Sequence, residues 1–506
     1  MDFLNYIFNG LMRRRLAQIE NFKLHPHEVQ QKVFNHLIQS AQYTEWGKKY
    51  GYARIKSVAD FQKQVPVSTY EALFPYIERC LKGEQNVLWS TPIKWFSKSS
   101  GTTNARNKFI PVSNESFQGC HYKAGKDLIA MYVRNNPHTK IFTGKNMGVG
   151  GSLQRNHLNP RTHYGDVSAL LMKNLPLWAE FMRTPSIETA LMEKWEDKIT
   201  RMAEETKNLN VTSMQGVPTW SLMILKKVLE VTRKKHIKEV WKNFELYVHG
   251  GVSFAPYYDS FKQIMGEEVR FMETYNASEG FFGVQDQLDR DDMLLMLDYG
   301  IYYEFIPFEE LHNENPKVLT LQEVETGKNY ALVISTNGGL WRYLIGDLVK
   351  FTSTSPYRIK VTGRTKHYIN AFGEELMVEN AEQALTFTCR ELGARISNFT
   401  AAPIYLTTHQ KGGHEWIIEF EKEPQNIEQF TILLDYYLRQ INADYDAKRS
   451  GDIALGMPVV HVAPKGTFYE WLKKRGKLGG QNKVPRLAND RQFVEELLSM
   501  MQKALS

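Results

Sequence analysis

Four hydroxyls and one glycine stand together at Ser99-Ser100-Gly101-Thr102-Thr103, directly after the aromatic run Trp95-Phe96-Ser97-Lys98. Hydroxyls and bare backbone N–H groups can surround a phosphate, and glycine lets the backbone approach it closely. Lys108, a little further on, adds a cation suited to phosphate as a point charge. The stretch is not a Walker-type loop, because GxxxxGK[ST] does not occur. A second segment, Thr274-Tyr275-Asn276-Ala277-Ser278-Glu279-Gly280, places a carboxylate in a polar turn after the apolar run Val269 to Met272. Such a carboxylate can hold Mg2+ while phosphate oxygens complete the shell. Tyr275 offers a ring face for a nucleobase. A third, Trp341-Arg342-Tyr343-Leu344-Ile345-Gly346-Asp347, closes a β-rich run with an aspartate. An acceptor-only carboxylate suits the two hydroxyls of a ribose. Taken singly, each segment also has a plain structural reading: a surface loop, a capped polar turn, or a Gly-Asp β-turn.

Several elements must position these groups. Phe22, Val29, Val33, Phe34, Leu37 and Ile38 recur at helical spacing, so residues 3 to 50 read as helices. Two strand-like runs flank the hydroxyl loop, and Ser113 to Val133 returns to a helical pattern. Residues 186–244 read as mostly helical. FELYVHGG reads as a buried strand ending in Gly250-Gly251, and VRFMET as a strand before a tight polar turn. LLMLDYGIYYEFIP and YALVISTNGGLWRYLIGDLVKF are β-rich. This alternation predicts an α/β protein with a substantial mixed sheet. The stretch Gly363–Lys366 reads as a junction. Beyond it come a helix, two strands, a helix, a further β segment and a helix, which is enough for a small α+β domain. The expected division is therefore 1–364 and 365–506.

The chain has 506 residues, too many for one core. Hydrophobic content of 42% and charged content of 24% are ordinary, which excludes disorder as the dominant state. The net charge of +7 favours anionic ligands without choosing among them. Basic clusters at Arg13-Arg14-Arg15, Lys234-Lys235 and Lys473-Lys474-Arg475 are short and scattered, so they read as solvated helix faces and not as a nucleic-acid footprint. Cys80, Cys120 and Cys389 form no CxxC pair, which argues against a zinc site and fits a cytoplasmic setting. The N-terminus is apolar first and basic second, an amphipathic surface helix and not a secretory signal. No apolar run is long enough to span a bilayer. A monomer is the expected state.

In their order and spacing the three segments resemble the adenylate-forming superfamily of acyl-activating enzymes. More closely they resemble the Gretchen Hagen (auxin-responsive) acyl acid–amido synthetases, in a bacterial-type version. That family's first motif reads SSGT[ST] before a Gly-containing stretch and a basic residue; here it is SSGTTNARNK. Its YGxSE corresponds to YNASE, and its YRxGD to YLIGD, with Arg342 offset by one. GRTKHYINAFGEEL at the junction and GGQNKVPRL, similar to the family's QYKTPR, extend the likeness over nearly the whole chain. Asn276 stands where the family has glycine, a position asparagine tolerates if the backbone is left-handed. Asn104 and Ala105 replace part of the glycine-rich stretch.

The resemblance implies a large domain that binds ATP and the acid, and a small mobile lid. It also implies two half-reactions. A carboxylate first attacks the α-phosphate of Mg·ATP, giving acyl-AMP and pyrophosphate. An amine or amino acid then takes the acyl group, and AMP leaves. On this reading Ser99, Ser100, Thr102 and Thr103 hold phosphate, Glu279 holds Mg2+ and Asp347 holds ribose. Gly250, Gly251, Thr274, Tyr275 and Asn276 border the adenine, with Ala277 and Ser278 completing the nucleotide motif. Arg364 sits at the hinge, and Lys483 is positioned to enter as a mobile catalytic lysine. The helix Phe117 to Met131 and the segment MQGVPTWSLMIL line the acyl pocket, with Lys126 facing the substrate carboxylate and Val217 and Trp220 as walls. Two other outcomes stay open: an acid–thiol ligase that uses coenzyme A, and a catalytically silent nucleotide-binding protein of the same fold.

Overall fold

The N-terminal periodicity becomes the helices Asp2–Leu24 and Pro26–Ala41 in a computed structural model of the chain. The structure describes all residues except 1, 100–107, 176, 193, 252–253, 255–257, 312, 366–367, 375, 408–410, 451–454, 476–483, 485 and 506. Phe34, Leu37, Ile38 and Ala41 turn inward from the second helix. On the same face Gln30 donates to the carbonyl oxygens of Leu297 and Ile301, at 2.8 and 2.9 Å, and accepts the Tyr303 N–H. The helix is thereby fixed to backbone that enters the sequence about 270 residues later.

The largest sheet has twelve strands and changes character partway across. Arg183–Thr184, Lys145–Gly148, Val211–Gln215, Leu246–Gly250 and Arg270–Ala277 run parallel in that spatial order. From Gly280–Val284 onward every pairing is antiparallel: Met293–Leu295, Tyr357–Arg364, Tyr343–Thr354, Asn329–Thr336, Ile301–Pro307 and Leu319–Thr320. The two regimes meet at the hairpin joining Ala277 to Gly280, so Ser278 and Glu279 lie on the seam. Parallel strands need crossover connections; here helices such as Pro218–Thr232 supply them. A second sheet, of four strands, contains Lys108–Val112, Trp95–Ser99, His163–Gly165 and Leu153–Arg155.

After Arg364 the chain forms the helices Val378–Leu392 and Ile427–Ile441 against a three-stranded sheet of Arg395–Ile404, Gly413–Lys422 and Val459–Ala463. One core cluster joins the N-terminal helices to the antiparallel strands. Another joins the helices over the parallel strands to this C-terminal α+β unit. The chain is thus a mixed α/β protein with a large N-terminal part and a smaller C-terminal one.

One local reading changes. Val211–Gln215 is a buried strand inside the stretch read as helical. Thr212 and Ser213 interrupt its apolar run, and Thr212 is buried because its hydroxyl donates to the Ile141 carbonyl at 2.8 Å. The tight polar turn after Ala277 closes a β-hairpin, as a turn between strands.

Candidate functional site

The carboxyl ends of the parallel strands form one edge, where chain reversals leave a crevice for ligands in open α/β sheets. Gly148, Gln215, Gly250 and Ala277 end four of these strands there. Gly250 must be small: a Cβ would come within 2.3 Å of the Thr274 carbonyl oxygen. The Thr274 hydroxyl donates to the His249 carbonyl at 3.1 Å and locks the two strand ends together. Val217, which caps the helix Pro218–Thr232, stands 3.5 Å from a Cβ built on Gly251. Asn276 is exposed, and Ala277, Ser278 and Glu279 are half-buried along the rim.

Alternation along Arg270–Ala277 turns Tyr275 the other way, into the core. Its ring packs on Phe282 with centroids 4.8 Å apart, and its hydroxyl donates to Asp347 Oδ2 at 2.6 Å. Three strands separate the two residues in the sheet order, so the antiparallel half must curl for them to meet. This differs from the expected ring platform for a base: Tyr275 is 7% exposed and reaches the site through its hydroxyl, as a support for Asp347. Asp347 is itself buried and pairs in register with Arg364. Gly346 before it has φ of +96°, a left-handed conformation that a side chain would strain.

The hydroxyl loop is carried by the antiparallel pair Trp95–Ser99 and Lys108–Val112, in which Ser99 faces Lys108. Ser100, Thr102 and Thr103 lie outside the described residues, as does Lys483. Lys108 is buried, and its ammonium donates to the Tyr343 hydroxyl at 3.2 Å. It also lies 5.6 and 5.8 Å from the ring centres of Tyr70 and Tyr343. The Tyr70 hydroxyl accepts the Phe109 N–H at 2.8 Å. Burial pushes this phenol up to about 12, opposed by the Phe109 hydrogen bond and reinforced by the charges of Glu71 and Glu279. Tyr70, Lys108 and Tyr343 therefore adjoin one another, and Tyr343 shares its strand with Asp347. All three sequence segments converge here.

Sequence reasoning missed Tyr70. It starts a helix after the cap Thr69, and nothing nearby announces a partner 39 residues away. It also missed His249, which is 4% exposed, stacks on Phe254 at 4.0 Å and has no hydrogen-bond partner for Nδ1. Burial alone pushes it down to about 3. Lys198 was missed as well. It is buried and donates to the Gly150 carbonyl just beyond Gly148. Burial pushes it down to about 8, partly offset by Asp166.

Other expected residues stand elsewhere. Lys126 is exposed, because the helix Tyr122–Asn135 turns Ala124, Asp127, Leu128 and Met131 inward; the structure does not bring it to the site. Trp220 is buried under the ammonium of Lys448, 4.8 Å from the ring centre, and so faces the C-terminal unit. Lys226 strengthens that contact by donating to the Thr407 carbonyl at 2.6 Å. Arg342 is built into the scaffold. It adopts φ of +42°, pairs with buried Glu304 at 2.9 Å and donates to the carbonyl oxygens of Gln62 and Val65.

Among the described residues no group of three or more His, Cys, Asp or Glu side chains could hold a metal. A single carboxylate suits Mg2+, which keeps water and takes its remaining ligands from phosphate oxygens. Glu279, half-buried in the hairpin at the seam, fits that role. Among the described residues no helix is long and apolar enough to cross a membrane.

A large α/β domain built on a mixed sheet, followed by a smaller α+β unit, is the fold seen in solved acyl acid amido synthetase and acyl-CoA ligase structures. The chain belongs to the GH3 family: the N-terminal domain model matches residues 15–270, the central domain model 294–364 and the C-terminal domain model 379–492. It is 23% identical to the indole-3-acetic acid-amido synthetase GH3.3 of Arabidopsis thaliana, over 96% of this chain and 93% of that one. It is also 23% identical to the jasmonoyl–L-amino acid synthetase GH3.5 of Oryza sativa subsp. japonica, over 91% and 92%. Among solved structures, AtGH3.15 acyl acid amido synthetase in complex with 2,4-DB aligns with a TM-score of 0.62 at 17% identity, covering 96% of this chain and 95% of that one. A 2-hydroxyisobutyryl-CoA ligase in complex with 2-HIB-AMP and CoA aligns with 0.54 at 14% identity, covering 94% and 92%.

Proposed function

We propose that this chain is an ATP-dependent ligase that activates a carboxylic acid as acyl-AMP and transfers the acyl group to an amine or amino acid, forming an amide. The paired contacts Lys108–Tyr343 and Tyr275–Asp347 carry this reading, because they tie together the segments proposed to serve phosphate, metal and ribose. Attack by the acid on the α-phosphate builds negative charge on phosphorus-bound oxygens. Lys108 supplies a fixed cation, and the hydroxyls of Ser99, Ser100, Thr102 and Thr103 donate hydrogen bonds to the same oxygens. Binding and alignment supply most of the catalysis in such a step. Mg2+ at Glu279 would neutralise the pyrophosphate that leaves. Asp347, braced by the Tyr275 hydroxyl, accepts the ribose hydroxyls, while Gly250, Gly251, Thr274 and Asn276 border the adenine. Val217 lies where an acyl wall is needed, beside Gly251.

The unit from residue 365 acts as the lid, with Arg364 at its hinge and Lys483 serving one half-reaction. The relatives named as amido synthetases favour nitrogen as the acceptor. With buried Cys80 and Cys120, we place the enzyme in a reducing, cytoplasmic setting. A panel of acids in the pyrophosphate-exchange assay tests adenylation. Mass spectrometry with mixed amino acids, amines and coenzyme A then identifies the acceptor. ATP binding without exchange for any acid would overturn the enzyme reading, and a thioester product would overturn the amide one.

A further inference from the structure

Ser99 and Lys108 face each other at the ends of their strands, and the short segment Ser68 to Tyr70 ties this pair to the strand of Asp347. Ser68 does so through its backbone. Its N–H donates to the Arg342 carbonyl at 2.8 Å, and its carbonyl accepts the Leu344 N–H at 2.9 Å, in parallel register with Tyr343. Thr69 then caps the helix Tyr70–Leu81, its hydroxyl accepting the Ala72 N–H. Tyr70 therefore leaves the first turn in a direction set by the cap, and its ring packs on Phe74 with centroids 5.6 Å apart.

Tyr70 meets Lys108 in two ways. Its hydroxyl accepts the N–H of Phe109, the next residue, at 2.8 Å, which holds the backbone. Its ring centre lies 5.6 Å from the Lys108 ammonium, which holds the side chain. Tyr343 supplies the opposing contacts, with its ring centre at 5.8 Å and its hydroxyl accepting from the ammonium at 3.2 Å. One piece of chain thus sets both aromatic walls around this cation. An ammonium on a four-carbon stem is otherwise flexible, and ordering it on binding costs affinity.

We propose that Tyr70 is a positioning residue for adenylation: it presets Lys108, so that the ammonium meets the triphosphate of ATP already ordered. This rests on the reading of Lys108 as the phosphate cation. Tyr70 acts through Lys108 and not on the phosphate itself. A tyrosine that served the fold alone would matter equally with or without the lysine.

Calorimetric titration of the full-length protein with ATP and with adenosine tests the assignment. Lys108→Met should weaken ATP about tenfold or more and leave adenosine unchanged. Tyr70→Leu should weaken ATP about fivefold, again sparing adenosine. Added to Lys108→Met, it should cost less than about twofold more, because the group it positions is gone. Tyr70→Phe keeps the ring in the core and frees only the Phe109 N–H, so it carries the same test if the leucine variant does not fold. It should cost about threefold for ATP alone and nothing beside Lys108→Met. Equal losses with and without Lys108, or a parallel loss for adenosine, overturn the proposal. Unchanged ATP affinity in Lys108→Met overturns the phosphate role of the lysine and the proposal with it. Failure of the adenylation reading shows separately, as ATP binding without acid-dependent pyrophosphate exchange.

Discussion

Replacing His249 with phenylalanine should leave stability nearly unchanged at pH 7.5 and make the protein less sensitive to acid. The imidazole lies against Phe254 at 4.0 Å and 22°, and its Nδ1 has no partner. A phenyl ring keeps the stack and removes the orphan nitrogen, a volume-conserving change that costs less than about 1.5 kcal/mol. Thr274 bonds to the backbone carbonyl of residue 249, so that contact survives. Burial pushes the imidazole down from 6.5 to about 3. Below pH 6.5 the unfolded chain takes up a proton, whereas the folded protein resists it until pH nears 3. The unfolded state therefore binds more protons across this window, and stability falls as pH falls through it. At about 1.36 kcal/mol per unit, the interval from pH 6.5 to 5 removes about 2 kcal/mol through this one group. Urea denaturation followed by tryptophan emission, at pH 7.5 and 5.0, reads the effect. Wild type should lose about 2 kcal/mol more than His249→Phe. Equal losses in the two proteins would refute a buried neutral ring.

Arg342→Ala leaves Glu304 charged and buried and should destabilise the fold by about 3–5 kcal/mol. Adding Glu304→Leu should recover much of that loss in the same denaturation assay; full stability with lost exchange would instead make Arg342 catalytic. Lys198 has a folded-state pKa of about 8, below its unfolded value, so the unfolded chain holds the extra proton between pH 8 and 10.5 and stability rises with pH there. Lys198→Met should remove that rise, about 1.4 kcal/mol per pH unit, from denaturation curves taken at pH 8, 9 and 10. Glu279→Ala and Asp347→Ala should each abolish acid-dependent pyrophosphate exchange, while Lys483→Ala should impair one half-reaction more than the other. Near-normal turnover in all three would refute the site.

The fold class was legible because its signals are local. Val and Ile runs marked the antiparallel strands, and the 3.6-residue period marked the N-terminal helices. Motif spacing pointed to segments that the fold draws together through Lys108–Tyr343 and Tyr275–Asp347. What stayed hidden depended on distance. Lys126 resembled a substrate partner until the helix phase turned it outward. Tyr275 looked like a stacking ring until strand alternation and sheet curl took its hydroxyl to Asp347, 72 residues on. The same holds for Trp220, whose partner Lys448 belongs to another part of the chain. Val211–Gln215 was invisible for a different reason: hydroxyls satisfied by distant carbonyls look like surface in a sequence.

The pairing of the N-terminal arm with the third segment has a consequence for synthesis. Ser68 bridges to Tyr343, receiving the Leu344 N–H and donating its own to the Arg342 carbonyl. Arg342 in turn closes on Val65, and Gln30 on residues 297 to 303. Emerging at about 5–20 residues per second, the arm waits roughly 15–55 s for the strand it must join. Throughout that wait Phe34, Leu37, Phe61 and Leu73 lack the partners that bury them in the finished protein. A chain arrested near residue 290 should therefore bind a hydrophobic dye that the complete protein does not. Shortening the arm should disturb the strand Tyr343–Thr354, which carries Asp347, because Ser68 pairs with its first residues. Newly made protein thus completes the sheet around Asp347 late, when its first seventy residues finally find their place.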